Sequence, residues 1–352
     1  MSSRTPGSNH GGTHDKGGGK LKSEVLVDWL TFSVKNATEP KEVIRQYLGM
    51  DPELFQDAGY SLLGYDKVLR FGDICVCYEP RENGFFKDMG ICVSMSGNGC
   101  REFETMSRLS FEGAQDKQGM ESIAFPVLFQ LLTADENAHI SRLDIACDDR
   151  QGHLDMSSII RKVQENEVNS RMTRRSVVVA YDGAHQSGAT AYIGAPSSDF
   201  RIRIYDKALE EGVSGHWIRV EMVLRGEHAN SFAAELTVSE TVGRLAAQVL
   251  NDKLAFIERD DSNISRCTVT DWWAAFVEDL ESVKLVARKV IRHSVERISN
   301  WVEAQVGPSL AVLARTLGFV HILEIALGAG ERLSNRQRSL IADYNSLQAS
   351  LA

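Results

Sequence analysis

The sequence predicts an α+β fold, with a largely antiparallel sheet and helices packed on one face, followed by an all-helical C-terminal region. Up to about residue 236, short runs that alternate apolar and polar residues recur between turn signals, and amphipathic segments separate some of them. Beyond residue 237, strand patterns give way to helical spacing. Half-buried strands joined by short turns pair antiparallel, and helices cover the apolar face of such a sheet.

Length and composition set the domain organisation. The chain has 352 residues, of which 43% are hydrophobic and 25% are charged, and a chain of this length is commonly divided into two domains. Residues 1–20 are rich in Gly, Ser and His, so we expect a disordered tail. We expect a sheet domain over residues 21–236 and a helical domain over 237–352.

The composition also bears on the compartment and on partners. No apolar run approaches the roughly 20 residues that span a membrane, and the N-terminus lacks the apolar core of a secretory signal. The six cysteines show no CxxC spacing, which is typical of reduced thiols. We therefore expect a cytoplasmic protein with no membrane partner. The net charge of −9 decides nothing about nucleic acid, because the basic residues are clustered.

The elements follow in chain order. Period-two alternation predicts strands over residues 25–34, 60–79 (one or two strands), 91–95, 138–148, 177–181 and 190–193. Helical spacing predicts helices over residues 40–48, 101–108, 122–132 and 155–163.

The strand over residues 138–148 carries Arg142, Asp144 and Asp148 on one face and apolar residues on the other. Carboxylates on a largely apolar strand are costly to bury unless they are paired or bound to a metal. One interpretation is pairing with Arg142 or Arg219. The other is a divalent cation, because oxygen ligands suit Mg²⁺ or Mn²⁺.

Two consecutive strands carry the most unusual pattern. In residues 199–207, the side chains on one face are those of Arg201, Arg203, Tyr205 and Lys207. In residues 217–225, the corresponding face carries Arg219, Glu221 and Arg225. Pairing of the two runs as a hairpin would gather these groups on one face, whereas a solvated face ordinarily mixes charge signs.

This pattern favours phosphoryl transfer at Tyr205. A phenol has an ordinary pKa near 10 and is a poor nucleophile at neutral pH. Lys207 and Arg203 would stabilise the phenolate and lower the pKa of Tyr205, and arginines can hold phosphate oxygens in pairs of hydrogen bonds. The alternative is a tyrosine in an ordinary half-exposed strand, flanked by solvated basic residues.

The motif Arg–Ile–Tyr–Asp–Lys at residues 203–207 resembles the replication initiation factor family, which comprises rolling-circle plasmid initiators and related relaxases of conjugative elements. Other pieces in the family's order lie at residues 27–33, 142–149, 192–199 and 217–221. In this family the tyrosine of the motif is the DNA-nicking nucleophile, so the resemblance assigns that role to Tyr205. It also raises the expectation that Asp28 lies at the active centre.

The resemblance implies a nicking-endonuclease-like fold and a metal-dependent enzyme that nicks and rejoins a strand at a specific origin. Tyr205 would form a 5′-phosphotyrosine link and leave a free 3′-hydroxyl. One Mg²⁺ or Mn²⁺ would be held by Asp144 and Glu221 with Asp148 or Asp28. Related nicking enzymes mostly use a His–apolar–His triplet, which this sequence lacks, so carboxylates must replace it.

The implied partner is origin DNA, with a single-stranded or hairpin nick site and flanking duplex, and a host helicase is a further expectation. The basic residues expected to contact DNA are Arg142, Arg174, Arg175, Arg201, Arg219 and Arg225. In the helical domain, residues 309–317 and 321–327 are spaced like a helix-turn-helix. That domain would serve DNA recognition or formation of a homodimer, or would pack on the sheet as a simple bundle.

Two other functions stay open from the sequence. A relaxase of an integrative conjugative element would use the same chemistry. A non-catalytic, sequence-specific DNA-binding regulator would use the arginine-rich face, but it gives no reason for a tyrosine and carboxylates there.

Overall fold

The computed structural model describes residues 23–81, 89–107, 124–238, 242–281 and 306–330, together with residues 283, 302, 333 and 341. The predicted tail over residues 1–20 lies outside this part of the chain.

The described residues form one ten-stranded sheet whose neighbouring strands all pair antiparallel. Its strands are β1 (Glu24–Val34), β2 (Gln56–Asp57), β3 (Tyr65–Phe71), β4 (Ile74–Pro80), β5 (Ile91–Met95), β6 (Ala138–Asp149), β8 (Arg175–Asp182), β9 (His185–Ile193), β10 (Phe200–Asp206) and β11 (Ile218–Arg225). The order across the sheet is β2-β3-β4-β5-β1-β6-β11-β10-β9-β8. Two short strands, β7 (Val168–Asn169) and β12 (Ala255–Phe256), pair separately.

The helices follow the apolar spacing of the sequence. They are α1 (Pro40–Val43), α2 (Gly97–Met106), α3 (Ala124–Ala134), α4 (Met156–Gln164), α5 (Lys207–Glu211), α6 (Glu227–Val238), α7 (Val242–Lys253), α8 (Asp271–Glu281), α9 (Gly307–Thr316) and α10 (Phe319–Gly330). A π-helical turn over Ile44–Leu48 continues α1. Short 3₁₀ turns lie at Pro52–Leu54 and Ile264–Arg266.

The two faces of the sheet differ as the alternation predicts. On β10, Phe200, Ile202 and Ile204 are buried, and they join a core that includes side chains of α3, α6, α7 and α8. The side chains between them, Arg201 and Arg203, are half-buried on the other face. The α+β fold, with a largely antiparallel sheet and helices over its apolar face, is confirmed.

The helices that follow residue 237 share the core of the sheet. Trp273, Phe276 and Leu280 of α8 are fully buried in the same apolar cluster as the strands. The strand β12 also pairs with β7, which precedes the central hairpin. The sequence-based division at residue 236 therefore falls inside α6, and the region beyond it is not purely helical.

Helices α9 and α10 occupy the positions of the predicted helix pair, and Gly318 between them has a φ of 86°. Helix α10 contains neither lysine nor arginine, and it exposes Phe319 to 76% and Leu327 to 73%. An apolar face of this kind suits a protein contact better than a DNA groove. The role of this region in DNA recognition or in a homodimer stays a prediction. None of the described helices is long and apolar enough to cross a membrane.

The shared core predicts that Trp273→Ala lowers the free energy of unfolding by about 3–5 kcal/mol, since a fully buried indole leaves a large cavity. Because α8 and the sheet share that core, the whole denaturant-induced transition should shift as one, followed by circular dichroism. Trp272→Ala is the matched control and should cost less, because Trp272 is only partly buried. A separate transition for α8, with the sheet unaffected, would contradict the single core.

Candidate active site

The register of three central strands places the candidate side chains in rows on one face. Residues directly opposite each other in antiparallel strands share a face and lie close together. The rows across β10, β11 and β6 are Tyr205–Arg219–Asp148, Arg203–Glu221–Ala146 and Arg201–Val223–Asp144. We call the face that these rows define the polar face.

Arg219 connects two carboxylates at one end of the polar face. Its Nε and Nη2 donate to the two carboxylate oxygens of Asp148 at 2.6 and 2.9 Å, and its Nη1 donates to Asp28 Oδ1 at 2.9 Å. Burial opposes the charge of Arg219, but the bonds to Asp148 outweigh it and raise the pKa of Arg219 well above its usual range. The predicted pairing of Asp148 with Arg219 is therefore present.

Asp28 reaches this face through an irregularity in β1. The register with β6 shifts between Val27 and Trp29, which leaves Asp28 as the extra residue of a bulge. A Cβ placed on Gly97, the first residue of α2, would lie 3.0 Å from Asp28 Oδ1. Glycine at this position leaves room for the Asp28 carboxylate at the start of the helix.

Glu221 lies at the centre of the polar face. It is fully buried, its Oε1 accepts from Arg203 Nη2, and its Oε2 accepts from the Tyr205 hydroxyl at 3.2 Å. Burial raises the pKa of Glu221 to about 7; Arg203 opposes this shift, while the charges of Asp144 and Asp28 add to it. A carboxyl that titrates near neutral pH is thus in hydrogen-bond contact with the phenol.

The phenol of Tyr205 is not acidified as the sequence suggested. Burial raises the pKa of Tyr205 well above 10, the Glu221 carboxylate raises it further, and Arg219 is the cation that lowers it. Lys207 is not on the strand face at all, because β10 ends at Asp206 and Lys207 begins α5. Its Nζ pairs with Glu210 and with Glu211 at 2.6 Å. The prediction that Lys207 shares a strand face with Tyr205 was wrong.

The cause of the early strand end is local. The Asp206 carboxylate accepts from the Leu209 backbone N–H at 2.8 Å and so caps α5. The Trp217 carbonyl accepts from the backbone N–H groups of Lys207 and Ala208. These bonds turn the chain into a helix directly after Asp206.

Asp144 lies at the other end of the cluster of carboxylates on the polar face. Arg142 Nε and Nη2 donate to its two oxygens at 2.9 and 2.6 Å, and Arg203 Nη2 lies 3.9 Å from its Oδ2. The Arg142 guanidinium also lies 4.3 Å from the ring centroid of Trp29. The predicted pairing of Asp144 with Arg142 is therefore present in the structure.

The remaining predicted DNA contacts divide between the two faces. Arg175 opposes the buried Ile193 and donates to Asn166 Oδ1 at 2.5 Å, so it lies on the helix-covered face. The prediction placed Arg175 among the arginines that contact DNA, and the side chain lies on the opposite face of the sheet, so this placement was wrong. Arg174 is an exposed residue that directly precedes β8. Arg225 Nη1 donates to the carbonyls of the 194–199 loop, at 2.8 Å to Ser198 and 3.2 Å to Pro196.

Two aromatic residues of this face were not assigned a role from the sequence. Trp29 lies under Arg142, and Tyr192 lies under Arg201 with its ring centroid 4.1 Å from the guanidinium. Tyr192 opposes Arg203 across β9 and β10. Period-two counting along each strand places both rings on the polar face. Which charged residue each ring opposes depends on the register between strands, which the sequence alone does not give.

The donor set for a divalent cation can be tested on these contacts. Asp28, Asp144 and Glu221 lie close enough together that the first two raise the pKa of the third, and three carboxylates beside a phenol are the oxygen donors that Mg²⁺ or Mn²⁺ takes. Asp148 does not fit, because both of its oxygens bind Arg219. Within the described residues no group of three or more His, Cys, Asp or Glu has an arrangement that could hold a metal ion. Guanidinium groups bind Asp28 Oδ1, both oxygens of Asp144 and Glu221 Oε1 instead.

The fold and this site together define the class of the rolling-circle initiators. The structure is similar to the solved "Structure of Rolling Circle Replication Initiator Protein from Geobacillus stearothermophilus", with a TM-score of 0.66, 26% sequence identity, and coverage of 76% of this chain and 99% of that chain. A sequence model described as "Rolling Circle replication initiation protein N-terminal domain" matches residues 24–112.

The chain belongs to the Replication initiation factor family, whose sequence model matches residues 138–323. This match includes β6, β10 and β11, and therefore the rows of the polar face. The chain is also 22% identical over 300 residues to the "Putative DNA relaxase NicK" of Bacillus subtilis (strain 168), which covers 82% of this chain and 80% of the relative. The predicted family is thus confirmed.

The buried carboxyl at Glu221 predicts a pH dependence of stability. Its pKa in the folded state, about 7, lies above the ordinary 4.5, so the folded state binds the proton more tightly. The stabilisation is present below about pH 4.5 and is lost as the pH rises through about 7. Glu221→Gln removes this titration, so its stability relative to the unmodified chain should rise by up to about 3 kcal/mol over that window.

Urea denaturation of both proteins at pH 5, 6, 7 and 8 measures the difference. Glu53→Gln is the matched control, because Glu53 is exposed in a surface ion pair with Lys41. A constant difference between Glu221→Gln and the unmodified chain across these pH values would show that Glu221 is ionised throughout.

Proposed function

We propose that this chain is a DNA strand-nicking and rejoining enzyme that initiates rolling-circle replication at a specific origin through a 5′-phosphotyrosine at Tyr205. The observation that carries the proposal is the contact between the Tyr205 hydroxyl and Glu221, 3.2 Å apart, at the centre of the arginine–carboxylate rows. Membership of the Replication initiation factor family supports it. A regulator without catalysis gives no account of this contact.

In the proposed reaction the Tyr205 oxygen forms a bond to the scissile phosphorus, and the bond from phosphorus to the 3′ oxygen breaks. The phenolic proton passes to Glu221 Oε2, which already accepts it in a hydrogen bond. The 3′ oxygen takes up a proton and becomes a hydroxyl. Attack of a 3′-hydroxyl on the phosphotyrosine reverses the steps, so rejoining requires no nucleotide cofactor.

Because its pKa is raised, Tyr205 is a neutral phenol before DNA binds. Burial and the Glu221 carboxylate keep the phenol protonated at neutral pH. The scissile phosphate would attract Arg203, which is held by Glu221 before DNA binds and which can donate two hydrogen bonds to a phosphate. Arg219 remains beside Tyr205 as the cation that favours the phenolate.

Asp28, Asp144 and Glu221 would hold one Mg²⁺ or Mn²⁺. A cation bound there would supply positive charge that stabilises the phosphorane-like transition state and would offset the mutual repulsion of the three carboxylates. Asp148 has a different role, since it fixes Arg219 beside Tyr205 through two hydrogen bonds.

A relaxase with the same chemistry is the second candidate. The 22% identity over 300 residues to the "Putative DNA relaxase NicK" of Bacillus subtilis favours it. Both candidates act on origin DNA through the same site. The host helicase and a homodimer stay predictions.

Tyr205→Phe should abolish strand cleavage and the covalent protein–DNA band, because it removes the oxygen that bonds to phosphorus. Affinity for a single-stranded nick-site oligonucleotide should stay within about threefold, since the arginines are unchanged. Denaturing gel electrophoresis with 5′- and 3′-labelled oligonucleotides and Mn²⁺ measures the adduct.

Tyr192→Phe is the matched control for this variant, because Tyr192 lies on the same face. It should retain the adduct. An adduct that persists in Tyr205→Phe and disappears in Tyr192→Phe would assign the nucleophile to Tyr192.

Cleavage should require Mg²⁺ or Mn²⁺ and stop with a chelator. Asp144→Asn and Glu221→Gln should each lower the cleavage rate by at least about 100-fold, since loss of Lewis-acid stabilisation is worth several kcal/mol. Glu221→Gln also removes the acceptor of the phenolic proton. Isothermal titration of Mn²⁺ without DNA should show weakened binding in both variants.

Asp148→Asn tests the division of roles among the carboxylates. It should reduce stability, because Arg219 loses an ionised partner while buried, yet bind Mn²⁺ as the unmodified chain does. Loss of Mn²⁺ binding in Asp148→Asn, with binding retained in Asp144→Asn, would reverse the proposed ligand assignment.

A further inference from the structure

The arginines of the polar face differ in how their charge is balanced. Arg142, Arg203 and Arg219 each donate to a carboxylate. Arg201, on the same strand as Arg203, has no ion pair and no side-chain hydrogen bond with any residue that the structure describes, and its Nε is buried without a partner. A buried donor without an acceptor is unfavourable. The Nη1 and Nη2 groups of this half-buried side chain also lack a partner among the described residues, and they are the donors that an external acceptor can reach.

Arg201 is also held in position. Its guanidinium lies over the ring of Tyr192, 4.1 Å from the centroid. Stacking of this kind fixes the plane of the guanidinium and leaves the N–H groups at its edge free to point outward. A fixed planar fork of donors matches the oxygens of a phosphate group.

Two further arginines add to the positive charge at this place. Burial lowers the pKa of Arg201, Tyr192 partly opposes this, and repulsion from Arg203, Arg225 and Arg174 lowers it further. Arg225 donates to backbone carbonyls, which carry no net charge. Within the described part of the chain, no carboxylate forms an ion pair with Arg201, Arg225 or Arg174. This group of arginines has the charge that an anion would balance.

We propose that Arg201, with Arg225 and Arg174 around it and Tyr192 beneath it, forms a second phosphate site that holds a non-scissile phosphate of the strand being cut. The proposal rests on the proposed nicking function, since it assigns a DNA contact to the same face. Arg201 is four residues from Tyr205 on one strand, so about 13 Å separate their Cα atoms. This separation, with the guanidinium held over Tyr192, favours a phosphate other than the scissile one.

The consequence of such a site is control of the path of the strand across the polar face. A single strand bound only at the scissile phosphate could pivot about that point, because one contact does not fix its direction. A second fixed phosphate sets the path of the strand past Tyr205, and base contacts would select the phosphodiester. Arg201 acts here as a positioning residue, whereas Arg203 and Tyr205 meet the reacting atoms.

The test uses the full chain and a fluorescein-labelled single-stranded oligonucleotide that spans the nick site of the replicon that encodes it. A series of these oligonucleotides carries one methylphosphonate each, which removes the charge of one phosphate. Fluorescence anisotropy gives Kd for the series with the unmodified chain and with Arg201→Gln. We expect one non-scissile position to weaken binding by the unmodified chain about tenfold, and to have less than a twofold effect on Arg201→Gln.

Two controls keep the test specific. Arg175→Gln removes an arginine from the helix-covered face and should leave the whole methylphosphonate profile unchanged. Tyr192→Ala removes the ring on which Arg201 is stacked and should reproduce the profile of Arg201→Gln. The salt dependence of log K should fall by about 0.7 in Arg201→Gln, the contribution of one phosphate on single-stranded DNA.

A methylphosphonate penalty that is equal in the unmodified chain and in Arg201→Gln at every position would overturn the second site. So would a profile with no sensitive non-scissile position. Melting temperatures of the variants within a few degrees of the unmodified chain establish that they are folded. If the unmodified chain forms no covalent adduct, the nicking function fails, and the anisotropy series still decides whether Arg201 binds a phosphate.

Discussion

The burial of carboxylates in the middle of a sheet is the constraint on which the rest of the site depends. Asp144, Asp148 and Glu221 lie on central strands and are almost completely buried. An unpaired charge in such a position costs several kcal/mol, and removal of one partner of a buried pair is strongly destabilising. Arginines on the same or neighbouring strands meet each of them, so pairing and strand register support each other. A slip of one residue would move every partner to the opposite face.

The same pairs explain how one face can hold a protonated phenol beside a carboxylate and still favour phosphate. Before DNA binds, Glu221 holds both Arg203 and the Tyr205 hydroxyl. In the proposed function, a phosphate would replace Glu221 as the partner of Arg203, and a divalent cation would replace the guanidinium groups on the carboxylates. The polar face would then change partners on binding while the strands beneath it stay in register. Arg201 differs from its neighbours because no carboxylate balances it within the described residues.

Alternation in the sequence predicted much of this arrangement and missed the parts set by tertiary contacts. Period-two counting placed Arg203, Tyr205 and Glu221 on one face, because successive side chains of a strand point to opposite faces of the sheet. It could not predict that Asp206 caps a helix and removes Lys207 from the strand. Nor could it predict that Arg175 opposes Ile193, because the register between strands depends on pairing across the chain. The bulge at Asp28 is likewise a property of the β1–β6 pair.

The covalent position of the DNA on the protein tests the central claim most directly. After cleavage of a nick-site oligonucleotide, nuclease and trypsin digestion leave a nucleotide phosphate on one tyrosine, which mass spectrometry locates. The account predicts modification of the peptide over residues 204–207, which contains Tyr205 and ends at Lys207. Modification of the peptide over residues 176–201, which contains Tyr181 and Tyr192, would contradict it.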